Sequence, residues 1–239
     1  IDTVVYNNLT SLTNYFFRVR GFCSGDTTAW VNLSFTTTRA AATLPFICGF
    51  ENASDAALWE TDATASSANM FAIGTATNNG GSNAIYVSND GGSTFAYSTG
   101  TASQAFARIL IPFTAGNYLV SYDYISNGES GFDYGRIFLY PAVNAVGTMS
   151  NSDLKTAQVD GDLEISDAQL QGKNSWNSVQ YIVYVPADAM YYLQLNWAND
   201  GSVGNQYPLA VDNIHIEELN CMPLTSVNTV AVNATAVFA

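Results

Sequence analysis

Between residues 44 and 219 the chain keeps returning to strict apolar/polar alternation, and that period of two is the feature that most narrows its fold. Tyr118, Val120, Tyr122 and Tyr124 fall on one strand face, and Val179, Tyr181, Val183 and Val185 on another. Tyr191, Leu193, Leu195 and Trp197 make a third, opposite Tyr192, Gln194 and Asn196. Turn chemistry separates such runs: Asn79-Gly80-Gly81, Asn89-Asp90-Gly91-Gly92, Ala115-Gly116-Asn117, Asn127-Gly128 and Asn199-Asp200-Gly201. Strands with one apolar face each must bury it against another sheet, so the pattern predicts an all-β, two-sheet sandwich. The stretch from Asp153 to Gln171 lacks alternation and reads as a long loop with one helical turn. No internal repeat of fixed period is present.

An apolar content of 48% supplies a core, and 13% aromatic residues suit strands better than helices. Lys and Arg number 7 against 20 Asp and Glu, a net charge of -13. Nucleic-acid backbones and anionic membrane surfaces are recognised by clustered Lys and Arg, so both are excluded as partners. No apolar run approaches the roughly 20 residues of a spanning helix, which excludes direct membrane insertion by that route. The chain opens in strand-like sequence with no signal peptide, so the expected mature N-terminus lies elsewhere.

Residues 1–38 read as three short strands: Val4 to Tyr6, Tyr15 to Arg20 and Val31 to Phe35. The run from Leu9 to Tyr15, followed by Phe17-Arg18-Val19-Arg20 and closed by Phe35-Thr36-Thr37, resembles the C-terminal part of a fibronectin type III domain. Residues 39–43 read as a linker and 44–219 as the sandwich domain; the tail 220–239, with Cys221-Met222-Pro223-Leu224 followed by an alternating Val/Ala stretch, resembles the start of a following type III domain.

Within 44–219 the relevant stretches are Leu44-Pro45-Phe46 with Gly49-Phe50-Glu51, Trp59, Phe71 to Thr75, and Ala84 to Gly91. They continue with Tyr118 to Asp123, Gly128-Glu129-Ser130 with Asp133-Tyr134, Trp197 to Asp200, and Val211-Asp212-Asn213-Ile214. In this order they resemble the cleaved-adhesin and choice-of-anchor families of bacterial surface proteins, relatives of the MAM-type jelly roll. That resemblance implies a jelly roll flanked by type III domains and a non-catalytic role outside the cell, in adhesion or in binding a glycan or an extracellular host protein. It also implies that Cys221 opens and Cys23 closes neighbouring domains of the same polypeptide, so no Cys23–Cys221 bridge is expected. Three cysteines fit no metal-ligand spacing, and Cys48 reads as a small buried residue.

Calcium is the expected cofactor. Asp212 lies in register with Ala210, Ile214 and Ile216, which places its carboxylate on the apolar side of the strand, where it must be paired, hydrogen-bonded or metal-bound. The resemblance puts Glu51 beside it as a first-strand ligand; Asn52 and Asp123 are further candidates, with backbone carbonyls completing the six to eight oxygens calcium takes. The alternative is that Asp212 simply accepts backbone N–H bonds while Glu51 is solvated. Thr61 to Ala65 lacks the spaced acids of a second calcium loop. Among aromatic residues, Trp59, Trp176, Trp197 and Tyr207 could stack on a sugar; Trp197 continues a core face, which leaves Trp176 as the exposed candidate. A single outward His215 and no nucleophile elbow argue against a hydrolase, and Glu129 with Asp133 read as a hydrogen-bonded loop before a carboxylate pair. The functional expectation is therefore a non-catalytic, calcium-stabilised extracellular binding module, with a structural spacer or an accessory domain of a secreted hydrolase as alternatives.

Overall fold

The computed structural model describes residues 5–65, 67–156, 158–204 and 207–220, together with the backbone of 229–232 and 235–238. Strands β1 (Asn14–Val19), β2 (Phe22–Cys23), β3 (Asp26–Thr27) and β4 (Val31–Thr36) come first. β5 (Phe46–Cys48), helix α1 (Ala53–Leu58), β6 (Glu60–Ala63), β7 (Met70–Gly74), β8 (Ala84–Ser88), β9 (Ser103–Phe113), β10 (Gly116–Ser126) and β11 (Tyr134–Pro141) follow. After a 3-10 turn (Ala142–Asn144) come α2 (Asn151–Thr156), β12 (Lys173–Val185), β13 (Ala189–Asn199), β14 (Ala210–Glu218), β15 (Thr229–Val232) and β16 (Thr235–Phe238).

Two antiparallel sheets make the sandwich. One has six strands in the order β12-β10-β14-β8-β7, with β5 also paired to β14; the other runs β11-β13-β9-β6. The alternation dictates what lies between them. Tyr118, Val120, Tyr122 and Tyr124 of β10, with Val183 and Val185 of β12 and Ile214 and Ile216 of β14, meet Ile109, Ile111 and Phe113 of β9 and Tyr191, Leu193, Leu195 and Trp197 of β13. Cys48 is wholly buried in this layer, and burial pushes its thiol pKa up to about 11.

The two outer faces differ. Over the four-stranded sheet, the 142–171 connection packs Met149, Leu154 and Val159 against Tyr134, Phe138 and Tyr140. That loop does contain one short helix, α2, as the broken alternation suggested. The outer face of the six-stranded sheet is left open beside β12, and the loops at 76–83 and 89–97 gather at its other side.

Outside the sandwich, β1 and β4 form a two-stranded ladder, with β2 and β3 pairing at its tip. Residues 5 and 6 are not in a strand and Val4 is outside the described residues, so of the three strands expected before residue 38, two form as read. The segment 39–43 does not hang free: the Ala42 N–H donates to the Leu110 carbonyl at 2.8 Å and Ala42 is buried. β15 and β16 pair antiparallel as two short strands in place of one continuous one. Cys23 is exposed and unbridged, and Cys221 lies outside the described residues. α1 was not foreseen; its six residues contain no buried side chain, so it leaves no apolar periodicity to read.

Candidate functional site

Two groups of side chains converge on the outer face of the six-stranded sheet. The first gathers around Asp212. Here the sequence reading of its strand needs correcting. Asn213 adopts φ of 50°, and the β10–β14 register slips between Ser121 and Asp123, so a bulge interrupts the alternation. Val211 takes the core position with Ile214 and Ile216, whereas Ala210 packs into a separate cluster on the other side with Ala84, Tyr86 and Ile125. Asp212 pairs across to the outward-facing Asp123 and shares Ala210's side. It is nonetheless wholly buried, beneath the 79–83 turn.

That turn organises the cluster. The Asn79 N–H donates to Asp212 Oδ2 at 2.8 Å, and the Asn213 N–H donates to Oδ1 at 2.7 Å. Asp123 Oδ2 accepts from both the Asn79 and Asn213 amides, each at 2.8 Å. Glu51 reaches the far side of the same turn, where its Oε1 accepts from the Ser82 and Asn83 backbone at 2.8 and 2.9 Å. Gly81, at φ of 71°, lies against the Glu51 carboxylate with no room for a side chain. Glu51, Asp123 and Asp212 thus all engage the one 79–83 turn. Asn52 does not join them; it precedes α1 and its amide faces Asp55 at 3.5 Å.

Burial raises the Asp212 carboxyl pKa, and the charges of Asp123 and Glu51 add to the rise. Glu51 moves the other way, held down by its hydrogen bonds from Ser82 and Asn83. Among the described residues no basic side chain forms a salt bridge with any of the three. The donors are all oxygens, the kind that calcium takes, and here each of the three carboxylates is engaged by N–H groups, the hydrogen-bonded alternative weighed for Asp212. The Asn79 hub was legible only as a turn: its Gly-Gly partner signals backbone geometry, and nothing local says which carboxylates it meets.

The second group is aromatic. Trp176, Phe95 and Tyr207 line a cleft of about 570 Å³ together with Thr77, Ser93, Thr94, Asn174 and Ser175. Phe95 and Tyr207 stack at 5.7 Å with planes 23° apart, and Phe95 meets Tyr86 edge-on at 5.9 Å. Tyr86 anchors the rim, its hydroxyl donating to the Gly92 carbonyl at 2.6 Å. Asp90 closes the loop that carries Phe95: it accepts from Ser88, from the Thr94 N–H and from the Thr94 hydroxyl, bonds that hold its pKa below the ordinary value. Trp59 and Trp197 are buried in the core. Sequence reasoning named Trp176 and Tyr207, but Trp176 is half-buried against Ala84, Tyr86, Ile125 and Ala210 and not exposed as expected. Phe95 was missed, its only signal being an aromatic residue inside the turn-rich run Gly91-Gly92-Ser93-Thr94-Phe95.

A third set of acids, Glu129, Asp133 and Asp200, brings ligand oxygens within 4.8 Å of one another. It is closed. Asp133 is buried, accepting from Tyr97 Oη at 2.7 Å and the Asp200 N–H at 3.0 Å, and Gly204 packs directly over that bond. Asp133, one of the pair weighed as glycosidase carboxylates, thus has both its oxygens held in hydrogen bonds. His215 stands on the outer face, 3.5 Å from Glu217.

No protein-family profile matches the chain, and no curated protein does. Solved structures resemble it in the sandwich at low identity. The C-terminal family 22 carbohydrate-binding module of a Clostridium thermocellum protein matches at 13% identity over 74% of this chain and 96% of that one, with a TM-score of 0.42. A putative sugar binding protein from Bacteroides thetaiotaomicron matches at 11% identity over 76% and 95%, with a TM-score of 0.39. The enzymatically active domain of a bacteriophage CBA120 tailspike protein stands at the same level, 14% identity over 72% and 20%, TM-score 0.39. At such scores these likenesses say nothing about what this chain binds.

Proposed function

We propose that this chain is a non-catalytic extracellular binding module of a larger surface protein, and that its ligand is a glycan held in the Trp176–Phe95–Tyr207 cleft. The observation that carries this reading is the cleft itself: an exposed Tyr207 beside half-buried Phe95 and Trp176, ringed by hydroxyl and amide groups. Sugars offer an apolar ring face for stacking and hydroxyls for hydrogen bonds, and this lining meets both. Asp133, the buried member of the acidic trio, and the exposed His215 offer no converging acid, base and nucleophile. Titration calorimetry against soluble glycans is the test. Trp176→Ala is expected to weaken binding by roughly tenfold or more, about 1.4 kcal/mol, with Tyr207→Ala, at an exposed position, as the companion variant that leaves the packing of Trp176 intact. Equal affinity in the wild type and in Trp176→Ala removes the cleft from the account.

Calcium belongs to the same proposal, with Glu51, Asp123 and Asp212 as the residues that would hold it. When bound it supplies positive charge that relieves the repulsion among them. These residues would fix the 79–83 turn, and with it the loops that flank the cleft.

One observation favours the spacer alternative. A cavity of about 650 Å³ is lined by Leu44, Pro45, Phe113, Met190 and Glu218, where the chain enters and leaves the sandwich. A neighbouring domain of the same polypeptide seated there, with the Trp176 cleft inert towards every glycan, would make the module a rigid connector.

A further inference from the structure

β12 is the edge strand of the six-stranded sheet, paired with β10 alone. Its inward residues Val183 and Val185 enter the core, and Val179 and Tyr181 pack against it. The alternate residues Trp176, Ser178, Gln180, Ile182 and Tyr184 therefore face out in one line. Tyr184 is 62% and Ile182 49% exposed, large apolar surface with nothing against it among the described residues. Beside them on β10 lie Asn117, Leu119, Ser121 and Asp123, opposite Tyr184, Ile182, Gln180 and Ser178 in turn. A separate shallow depression of about 250 Å³, lined by Ser121, Asp123, Ser178, Gln180 and Asn213, lies on this line. From Trp176 to Tyr184 the strand advances by about 26 Å at its usual rise per residue.

We infer that the ligand is an uncharged oligosaccharide chain laid along the outer face of β12, stacked on Trp176 at one end and on Tyr184 at the other. This rests on the reading of the Trp176 cleft as a glycan site. Length follows from geometry: an aromatic ring at each end and hydroxyl or amide groups at Ser178, Gln180 and Ser121 between them suit a polymer, whereas a monosaccharide fills only the cleft. Neutrality follows from charge. The cleft lining contains no side chain that is charged at neutral pH, and the depression on the track carries a carboxylate, Asp123, and no basic side chain. Of the 7 basic residues, only Lys173 lies near, beside Asn174 at the start of β12. Arg18 and Arg20 lie on Trp30 in the N-terminal ladder. Arg39 donates to the Ala57 carbonyl, Arg108 is paired with Glu60, Arg136 reaches the Leu154 carbonyl and Lys155 is on α2. A uronate or sulfate would lose its hydration with little compensating positive charge, inside the field of a chain of net charge -13. Serine, threonine, asparagine and glutamine side chains, by contrast, both donate and accept, as sugar hydroxyls do.

Calorimetry on the whole chain with xylo-, cello- and galacto-oligosaccharides, as disaccharides and hexasaccharides, and with oligogalacturonates of matching length, tests this. For the neutral series that binds, the hexasaccharide is expected to bind roughly tenfold or more tighter than the disaccharide. Tyr184→Ala, an exposed position that keeps its strand, should bring the hexasaccharide affinity down to the disaccharide value. Trp176→Ala should weaken both, and oligogalacturonates should bind at least about tenfold more weakly than their neutral counterparts. Affinity independent of length and indifferent to Tyr184→Ala overturns the track, and if Trp176→Ala still weakens binding the cleft itself survives. Equal or tighter binding of oligogalacturonates overturns the neutrality. Absence of binding to every series overturns the cleft reading and this inference with it.

Discussion

Asp212 is the residue on which most of the outer face turns, and its ionisation sets a direction for stability. Its folded-state pKa is raised, mainly by burial, and burial is also the largest cause of the raised values of Asp133, Asp162 and Glu129. A raised carboxyl favours folding in its protonated form. Its contribution is full below the unfolded-state pKa and is lost as pH rises through the folded-state value. Glu51 and Asp90 are lowered, so theirs is present above the unfolded-state value and is lost as pH falls through the folded one. With a chelator present, Asp212 should therefore add stability as the pH falls through its raised folded-state pKa, while Glu51 and Asp90 withdraw theirs as the pH falls further through their lowered ones. In Asp212→Asn the rise should be shallower, and added calcium should flatten it in the wild type but not in the variant, as read by melting temperature against pH. A slope identical in both proteins would show that Asp212 does not titrate in this range. The thiols give a simpler check: mass mapping after alkylation should find Cys23 modified in the folded protein and Cys48 only after unfolding, because burial raises the Cys48 pKa to about 11 and shields it.

At the scale of elements, much was legible where one strand carries one face. The alternations in β10, β12 and β13 predicted which residues face the core; those of β10 and β13, with Val183 and Val185, enter it, and Val179 and Tyr181 pack half-buried at its edge. What the sequence hid was phase. The single bulge at Asn213 moves Asp212 from the core side to the outer side, and no composition rule at Val211-Asp212-Asn213 marks it. The carboxylate was rightly expected to be buried, but under a turn contributed by residues some 130 positions away in the chain. Glu51, Asp123 and Asp212 could be named as a set only through the family resemblance; the Asn79 hub and the Phe95 platform depend on tertiary approach. That same turn offers a test at its own scale. Gly81 has a positive φ and abuts Glu51, so Gly81→Ala strains the backbone and pushes the carboxylate away. It should cost about 1–3 kcal/mol and also shrink the stabilisation gained from calcium. A loss of stability with the calcium response intact would separate the turn from the ion.

For the whole molecule, the open question is which parts hold one another up. The hydrogen bonds of the N-terminal ladder stay within it, from Thr10–Tyr15 and Thr13–Thr37 to Gly21–Thr28. Phe16, Phe22, Val31 and Leu33 remain exposed there, so the ladder buries too little apolar surface to stand as a domain by itself. The sandwich shows the opposite economy. Its core is continuous across both sheets, and its N-terminal seam is closed by Arg39 on the Ala57 carbonyl and by Ala42 on Leu110. One polar clamp ties its four-stranded sheet at the edge: Arg108 forms a paired contact with Glu60 at 3.0 and 3.1 Å, lies over Tyr192 at 4.4 Å and donates to the Val146 carbonyl. Two expectations follow from this division. Removing residues 1–38 while keeping Arg39 should leave the melting temperature within a few degrees, since the ladder shares little with the core. Arg108→Ala should lower it by several degrees, about 1–3 kcal/mol, because it undoes a charge-assisted fork and leaves the Val146 carbonyl unsatisfied. A truncation that melts far below the full chain would instead mean that the ladder and the sandwich fold as one cooperative unit. The apolar faces of the ladder would then have to find their cover on the sandwich itself.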